Sequence, residues 1–171
     1  MKRILYAEDT RDASVRIERD LCRAGCTVQL IVGCPQGRRP GRDDTTFVAL
    51  DLAGCEVLID PREYDAAILD GSLLNCHGLH FCRMLVRFGL FVVAASSMAE
   101  DNEKMTGEEG GAELAIPKSG FMDALMGRFD PSECIWPTGC DQSRRGETLR
   151  KFDQHFRRVN CCPFGCGSGT L

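Results

Sequence analysis

Tyr64-Asp65-Ala66-Ala67-Ile68-Leu69-Asp70 is a short apolar run closed by a carboxylate. Three further apolar runs are likewise followed by polar residues. Ile4-Leu5-Tyr6-Ala7 is followed by Glu8 and Asp9, Leu90-Phe91-Val92-Val93-Ala94-Ala95 by Ser96, and Ala112-Glu113-Leu114-Ala115-Ile116-Pro117 by Lys118. Short apolar runs bounded by turn residues read as buried strands. As strands of one parallel sheet, they bring the five polar side chains together at its carboxyl edge. Open α/β sheets bind their ligands at that edge.

The intervening segments read as helices. Ala13, Ile17, Leu21 and Ala24 recur at helical spacing over about Asp12 to Arg23, and Gly25 suits the stop. A second strand is expected over Thr27 to Val32. A helix is expected near Phe47 to Pro61, and another over about Leu79 to Phe88. The polar, Gly-broken segment Ala99 to Gly110 predicts a marginal helix. Ser119 is expected to cap a last one, with Phe121, Leu125 and Phe129 inward. Alternation of strand and helix implies a parallel sheet with right-handed crossovers.

The five side chains have a chemistry of their own. A carboxylate can act as a nucleophile and hold a phosphoryl group as an acyl phosphate. Repulsion between Asp70 and an incoming phosphoryl anion must first be offset. Mg²⁺ does this with one or two carboxylates, phosphate oxygens and water. Asp9 and Asp70 suit that role, with Glu8 acting through water. Lys118 offers a point positive charge to one phosphoryl oxygen, and Ser96 a hydroxyl to another. Phosphoryl transfer needs mostly positioning and charge stabilisation.

The order and spacing of these residues resemble the receiver domain of two-component response regulators. Asp70 and Ser96 are 26 residues apart and Ser96 and Lys118 are 22. Gly78 lies eight residues after Asp70, and Gly111-Ala112 lie seven and six before Lys118. The resemblance covers about residues 2 to 129. It implies a flavodoxin-like (CheY-like), doubly wound, five-stranded parallel sheet of order 2-1-3-4-5 with helices on both faces. It implies Asp70 as phosphoacceptor, with Ser96 and Lys118 assisting. Mg²⁺ is then held by Glu8, Asp9, Asp70 and the backbone carbonyl of Ser72. The implied partners are a histidine kinase or phosphotransfer protein and a downstream protein target. The only implied catalysis is self-catalysed phosphoryl transfer and hydrolysis of the aspartyl phosphate.

Bulk properties agree. A chain of 171 residues can bury a well-formed core in one domain. A net charge of −4 gives no global attraction to nucleic acid or membrane. The first apolar stretch is too short for a signal peptide and ends in charge. No apolar run approaches transmembrane length. A cytoplasmic location is expected, with the 11 cysteines reduced. Cys22, Cys26, Cys55 and Cys82 fall among apolar residues and read as small core or near-core side chains.

Two segments lie outside the receiver template. Gly33 to Thr46, punctuated by Gly and Pro, reads as a surface-loop insertion and explains the 61 residues between Asp9 and Asp70. The extension from 130 to 171 contains no recognised output domain. Within it Leu149, Phe152, Phe156 and Val159 share one helical face, ringed by Arg150, Lys151, Arg157 and Arg158. Such a basic amphipathic helix either docks on its own domain or offers a nucleic-acid, membrane or partner surface. Docking is the expectation. Cys134, Cys140, Cys161, Cys162, Cys166 and His155 supply enough soft ligands for Zn²⁺, but no standard spacing.

The departures from the receiver pattern bear on switching. Many receivers carry an aromatic residue three before the lysine, where this chain has Ala115. Ser119, not Pro, follows Lys118, and a cis bond there would cost about 3–4 kcal/mol. Leu74 stands where Pro is frequent. Three functions follow: a phosphorylated receiver, a receiver-like module that binds without phosphorylation, or a metal- or nucleic-acid-binding regulator acting through the tail.

Overall fold

The computed structural model describes residues 1–41 and 43–157. Lys2–Ala7 (β1) leads into Arg11–Arg23 (α1) and Cys26–Ile31 (β2). Phe47–Leu50 (β3) and Glu56–Ile59 (β4) form an antiparallel hairpin. Ala66–Leu69 (β5) follows, then the two-residue strands Ser72–Leu73 (β6) and Cys76–His77 (β7). Gly78–Arg87 (α2), Phe91–Ala94 (β8), Ala99–Thr106 (α3), Leu114–Ala115 (β9), Lys118–Leu125 (α4) and Gln142–Phe156 (α5) complete the order. The main sheet runs β2-β1-β5-β8-β9, all neighbours parallel, which is the order 2-1-3-4-5 expected.

Alternation along each strand sends side chains to opposite faces. Leu5, Ala7, Ala67, Leu69, Val92 and Ala94 share a core with the β3–β4 hairpin, α2 and α3. Ile4, Tyr6, Ala66, Ile68, Phe91 and Val93 share the other with α1, α4 and α5. The central strand β5 is buried along its whole length, as its uninterrupted apolar run requires.

The segment after β2 corrects the expectation of a helix near Phe47 to Pro61. It is a β-hairpin. Phe47 and Ala49 are buried while Val48 and Leu50 are only half-buried, a period of two. The turn is closed by the Asp51 carboxylate, which accepts from the backbone N–H of Ala53 and Cys55 at 2.9 and 2.8 Å. Gly54 takes φ +80° there. Phe47 packs on Phe81 of α2, ring centroids 5.0 Å apart, so the hairpin covers the sheet where a crossover helix was expected.

Further corrections concern single residues. Pro117, not Ser119, precedes the first turn of α4, and no side chain caps it. Phe121 is buried, whereas Leu125 and Phe129 are partly buried against the same core. Cys26 and Cys82 are buried, but Cys22 and Cys55 are exposed. The insertion 33–46 is exposed at residues 36–39, 41 and 43–45. Its root, Gly33-Cys34-Pro35, is buried, because Gly33 bridges both Leu50 and Leu74. Among the described residues no peptide bond is cis.

The amphipathic segment of the tail is α5, and it docks on its own sheet. Thr148, Phe152 and Phe156 are buried, Phe152 meets Phe121 edge-on at 6.4 Å, and His155 stacks on Phe91 at 5.2 Å. Arg157 donates twice to the Ala124 carbonyl, at 2.9 and 2.7 Å. Cys161, Cys162 and Cys166, with Arg158 and Val159, lie outside the described residues. No described helix is long and apolar enough to cross a membrane.

Candidate functional site

Register builds the site. Ala7 is level with Leu69, Leu69 with Ala94, and Ala94 with Ala115. The residues that follow these four therefore emerge together at the carboxyl edge. Glu8 and Asp70 come directly after β1 and β5 and are both buried. Asp9 is exposed beside them. One oxygen from each of Glu8, Asp9 and Asp70 can lie within 4.8 Å of the others. Three converging carboxylates suit a hard divalent cation, so the residues present fit a Mg²⁺ ion.

Lys118, the first residue of α4, reaches back across this cluster. Its Nζ donates to Asp70 Oδ2 at 2.7 Å and to Glu8 Oε1 at 2.8 Å. Burial alone would lower the Lys118 pKa. The hydrogen bonds and negative charges of Asp70 and Glu8 outweigh it and hold the ammonium above its ordinary range. Glu8 is also tied to its own turn, accepting from the Thr10 N–H at 2.8 Å. The Tyr6 hydroxyl, 3.5 Å from Glu8 Oε2, is kept protonated by burial and by the Glu8 and Asp70 charges. Glu8 is thus a direct partner of Lys118.

The loop after Asp70 is held close. The Ser72 N–H donates to Asp70 Oδ1 at 3.4 Å, and Ser72 pairs with His77 across the short β6–β7 hairpin. Gly78 donates to the Gly71 carbonyl at 2.8 Å. A Cβ at Gly78 would run into the Asp70 carbonyl oxygen, and one at Gly71 would run into Asp101. Glycine at both positions is a matter of space.

Ser96 reaches the same edge but is otherwise engaged. Its hydroxyl donates to Asp101 Oδ2 at 3.3 Å, and its backbone is gripped by Asn102, which accepts from Ser96 N–H at 3.0 Å and donates to Ser96 O at 2.9 Å. Its carbonyl also accepts from the Lys118 N–H at 3.2 Å. Asp101 in turn receives the Nε2–H of His77 at 2.9 Å. The tautomer follows from the other ring nitrogen, since His77 Nδ1 accepts from Leu79 N–H at 3.0 Å and caps α2. Asp101 and His77 were not singled out in the sequence. They sit 24 residues apart, and no spacing rule joins them.

No protein-family model and no curated protein matches the chain. Comparison with solved structures does find likenesses. The non-phosphorylated HemR receiver domain from Leptospira biflexa is 20% identical over 75% of this chain and 90% of its own, with a TM-score of 0.54. A response regulator from Burkholderia pseudomallei, solved with a phosphorylated aspartic acid, a calcium ion and citrate, is 17% identical over 88% of this chain and 72% of its own, TM-score 0.53. The BeF3-activated DrrB receiver domain is 19% identical over 75% of this chain and 93% of its own, TM-score 0.50. At these identities the likeness is one of fold, and the fold is that of the CheY-like receiver domains of response regulators.

Proposed function

We propose that this chain is a phosphoacceptor: a response regulator receiver that takes a phosphoryl group onto Asp70 and signals through protein contact. One observation carries the reading. Asp70 lies at the carboxyl edge of the sheet, within 4.8 Å of two further carboxylates and 2.7 Å from the Lys118 ammonium.

In this reading Glu8, Asp9, Asp70 and the Ser72 carbonyl hold Mg²⁺, which supplies the positive charge that offsets repulsion between the Asp70 carboxylate and the incoming phosphoryl group. An Asp70 oxygen attacks phosphorus, and the bond to the donor, a phosphohistidine nitrogen or an acyl-phosphate oxygen, breaks. Lys118 shifts its ammonium from the carboxylate to a phosphoryl oxygen. Ser96 turns its hydroxyl from Asp101 to another. Residues 1–129 form the receiver, and α5, from the extension 130–171, braces it. The donor is a histidine kinase or phosphotransfer protein, the recipient of the signal is a further protein, and the chain works in the cytoplasm.

The test is incubation of the full chain with acetyl phosphate and Mg²⁺, followed by intact mass. A phosphoryl mass gain is expected, absent without Mg²⁺ and absent in Asp70→Asn. A second reading, a module of the same fold that binds protein without phosphorylation, is favoured by the backbone pairing of Ala115 with Ile135, which closes the outer edge of the sheet. No mass gain in the wild-type chain would select it.

A further inference from the structure

The β3–β4 hairpin has one closed edge and one open edge. The Val32 N–H donates to the Leu50 carbonyl at 2.8 Å, and the Leu50 N–H to the Gly33 carbonyl at 2.9 Å. The backbone groups of Leu50 therefore face the segment after β2 and turn away from β4. Leu50 is level with Glu56, and Val48 with Leu58. Hydrogen-bonded and non-hydrogen-bonded pairs alternate along an antiparallel ladder. The N–H and C=O of Glu56 and Leu58 therefore point away from β3. Among the described residues, none pairs with that side of β4. The Glu56 and Leu58 side chains are also exposed, Leu58 at 70%. Val57 faces the other way and packs, only partly buried, against the core.

We propose that this open edge is an interface between two copies of the chain, in which β4 pairs antiparallel with β4 of a second copy about a twofold axis at Val57. An uncovered strand edge is a template for another strand. Two identical strands run antiparallel when a twofold axis relates them, and such a contact closes as a dimer.

Charge selects the register, because like charges directly opposite each other destabilise a strand pair. An axis at Glu56 sets Glu56 against its own copy. An axis at Leu58 sets Glu56 against Asp60. An axis at Val57 sets Glu56 against Leu58 and Asp60 against Gly54, and no like charges meet. In that register Glu56 of each copy and Leu58 of the other exchange both backbone hydrogen bonds. The exposed Leu58 side chain covers the aliphatic stem of the facing Glu56. The Glu56 carboxylate stays with Arg38 of its own copy, 3.4 Å away, so its charge is balanced within each chain. The two Val57 side chains form the closely spaced, non-hydrogen-bonded pair, which completes the burial that one copy leaves partial. The second copy is thus a self-complementary occupant of the edge. The contact is only as long as β4, four residues, which places it among weak, concentration-dependent associations.

The test is sedimentation equilibrium of the full chain over a concentration series, with amide exchange followed residue by residue. A monomer–dimer equilibrium is expected. The amides of Glu56 and Leu58 should gain protection as concentration rises, while that of Val57, already bonded to β3, should not. Leu58→Glu sets a carboxylate against Glu56 and should abolish the dimer. The double variant Leu58→Glu with Glu56→Lys sets opposite charges together and should restore it. Position 58 is exposed, so the single variant should keep the parent's circular dichroism. A chain that is monomeric at every concentration overturns the proposal. Slow exchange at Glu56 and Leu58 in such a monomer would mean that another segment of the same chain covers the edge. A dimer that survives in Leu58→Glu, or that the double variant does not restore, equally overturns the assigned edge and register.

Discussion

Ala115 and Ile135 exchange both of their backbone hydrogen bonds, each at 2.8 Å. The chain thus comes back after α4 and covers the outer edge of β9 with its own backbone. The carbonyl of Ser96 accepts from the Lys118 N–H at 3.2 Å, and Ala115 lies just before that turn, so under the proposed function a change at Asp70 is expected to reach β9 and Ile135. Mg²⁺ and beryllofluoride, a phosphoryl mimic, should alter hydrogen exchange over 96–106 and at the amides of Ala115 and Ile135 together. Changes confined to other segments would show that the signal leaves elsewhere.

Glu8 and Asp9 are adjacent acids with different tasks. Glu8 is buried under Lys118 and holds the Thr10 amide, whereas Asp9 is exposed. Glu8→Gln should cost about 1–3 kcal/mol of stability by weakening charged hydrogen bonds in a buried site. Asp9→Asn should stay within about 0.5 kcal/mol of the parent, as surface changes do. It should nevertheless lose Mg²⁺ affinity and acetyl-phosphate labelling together. Denaturant melts and Mg²⁺ titrations of the two variants separate these effects. Equal Mg²⁺ affinity in Asp9→Asn and parent would make the cluster a structural acidic patch.

Lys118 neutralises two buried carboxylates, so Lys118→Met leaves like charges facing each other. Removing one partner of a buried ion pair costs about 3–5 kcal/mol. A loss near 3 is expected here, because the Lys118 side chain keeps 20% of its exposure. A divalent cation relieves the same repulsion, so Mg²⁺ should raise the melting temperature of Lys118→Met more than that of the parent. The pH dependence has a definite sign. The folded-state pKa of Lys118 is raised above 10.5, so its contribution is complete below that value and is lost as the pH rises through the folded value. The parent should lose stability above pH 10.5 more steeply than Lys118→Met.

What the sequence made legible was whatever depends on strand ends. Apolar runs with a polar terminus fixed β1, β5, β8 and β9, and parallel register then gathers Glu8, Asp9, Asp70, Ser96 and Lys118 at one edge. The β3–β4 hairpin was hidden because each strand has only four residues, too few for period two to be told from period 3.6. Its one local signal is Asp51 with Gly54, a turn closed by a carboxylate. Leu149 was expected inside α5, but the register of the docked helix buries Thr148 instead. The Ala115–Ile135 pairing and the Asp101–His77 contact depend on how distant segments pack, and no periodicity reports that.

Asp101 holds the Ser96 hydroxyl, which under the proposed function must turn to a phosphoryl oxygen on Asp70. A serine hydroxyl has one proton to donate, and here Asp101 Oδ2 takes it at 3.3 Å. Donation to a phosphoryl oxygen on Asp70 requires that bond to break. The Asp101 carboxylate also packs against Gly71, beside the acceptor, where its charge opposes a second anion. Both effects oppose the phosphorylated state, and both disappear in Asp101→Ala. Hydrogen bonds to charged groups are worth about 1.5–3 kcal/mol, so the phosphorylated fraction at fixed, sub-saturating acetyl phosphate should rise by about tenfold, corresponding to about 1.4 kcal/mol. His77 loses its Nε2 partner in the same variant but keeps its Nδ1 cap on α2, so the helix should stay in place. Intact mass at a series of donor concentrations reads the fraction, and circular dichroism checks the fold. An unchanged or lower fraction in a folded Asp101→Ala chain would mean that Ser96 is not restrained by Asp101.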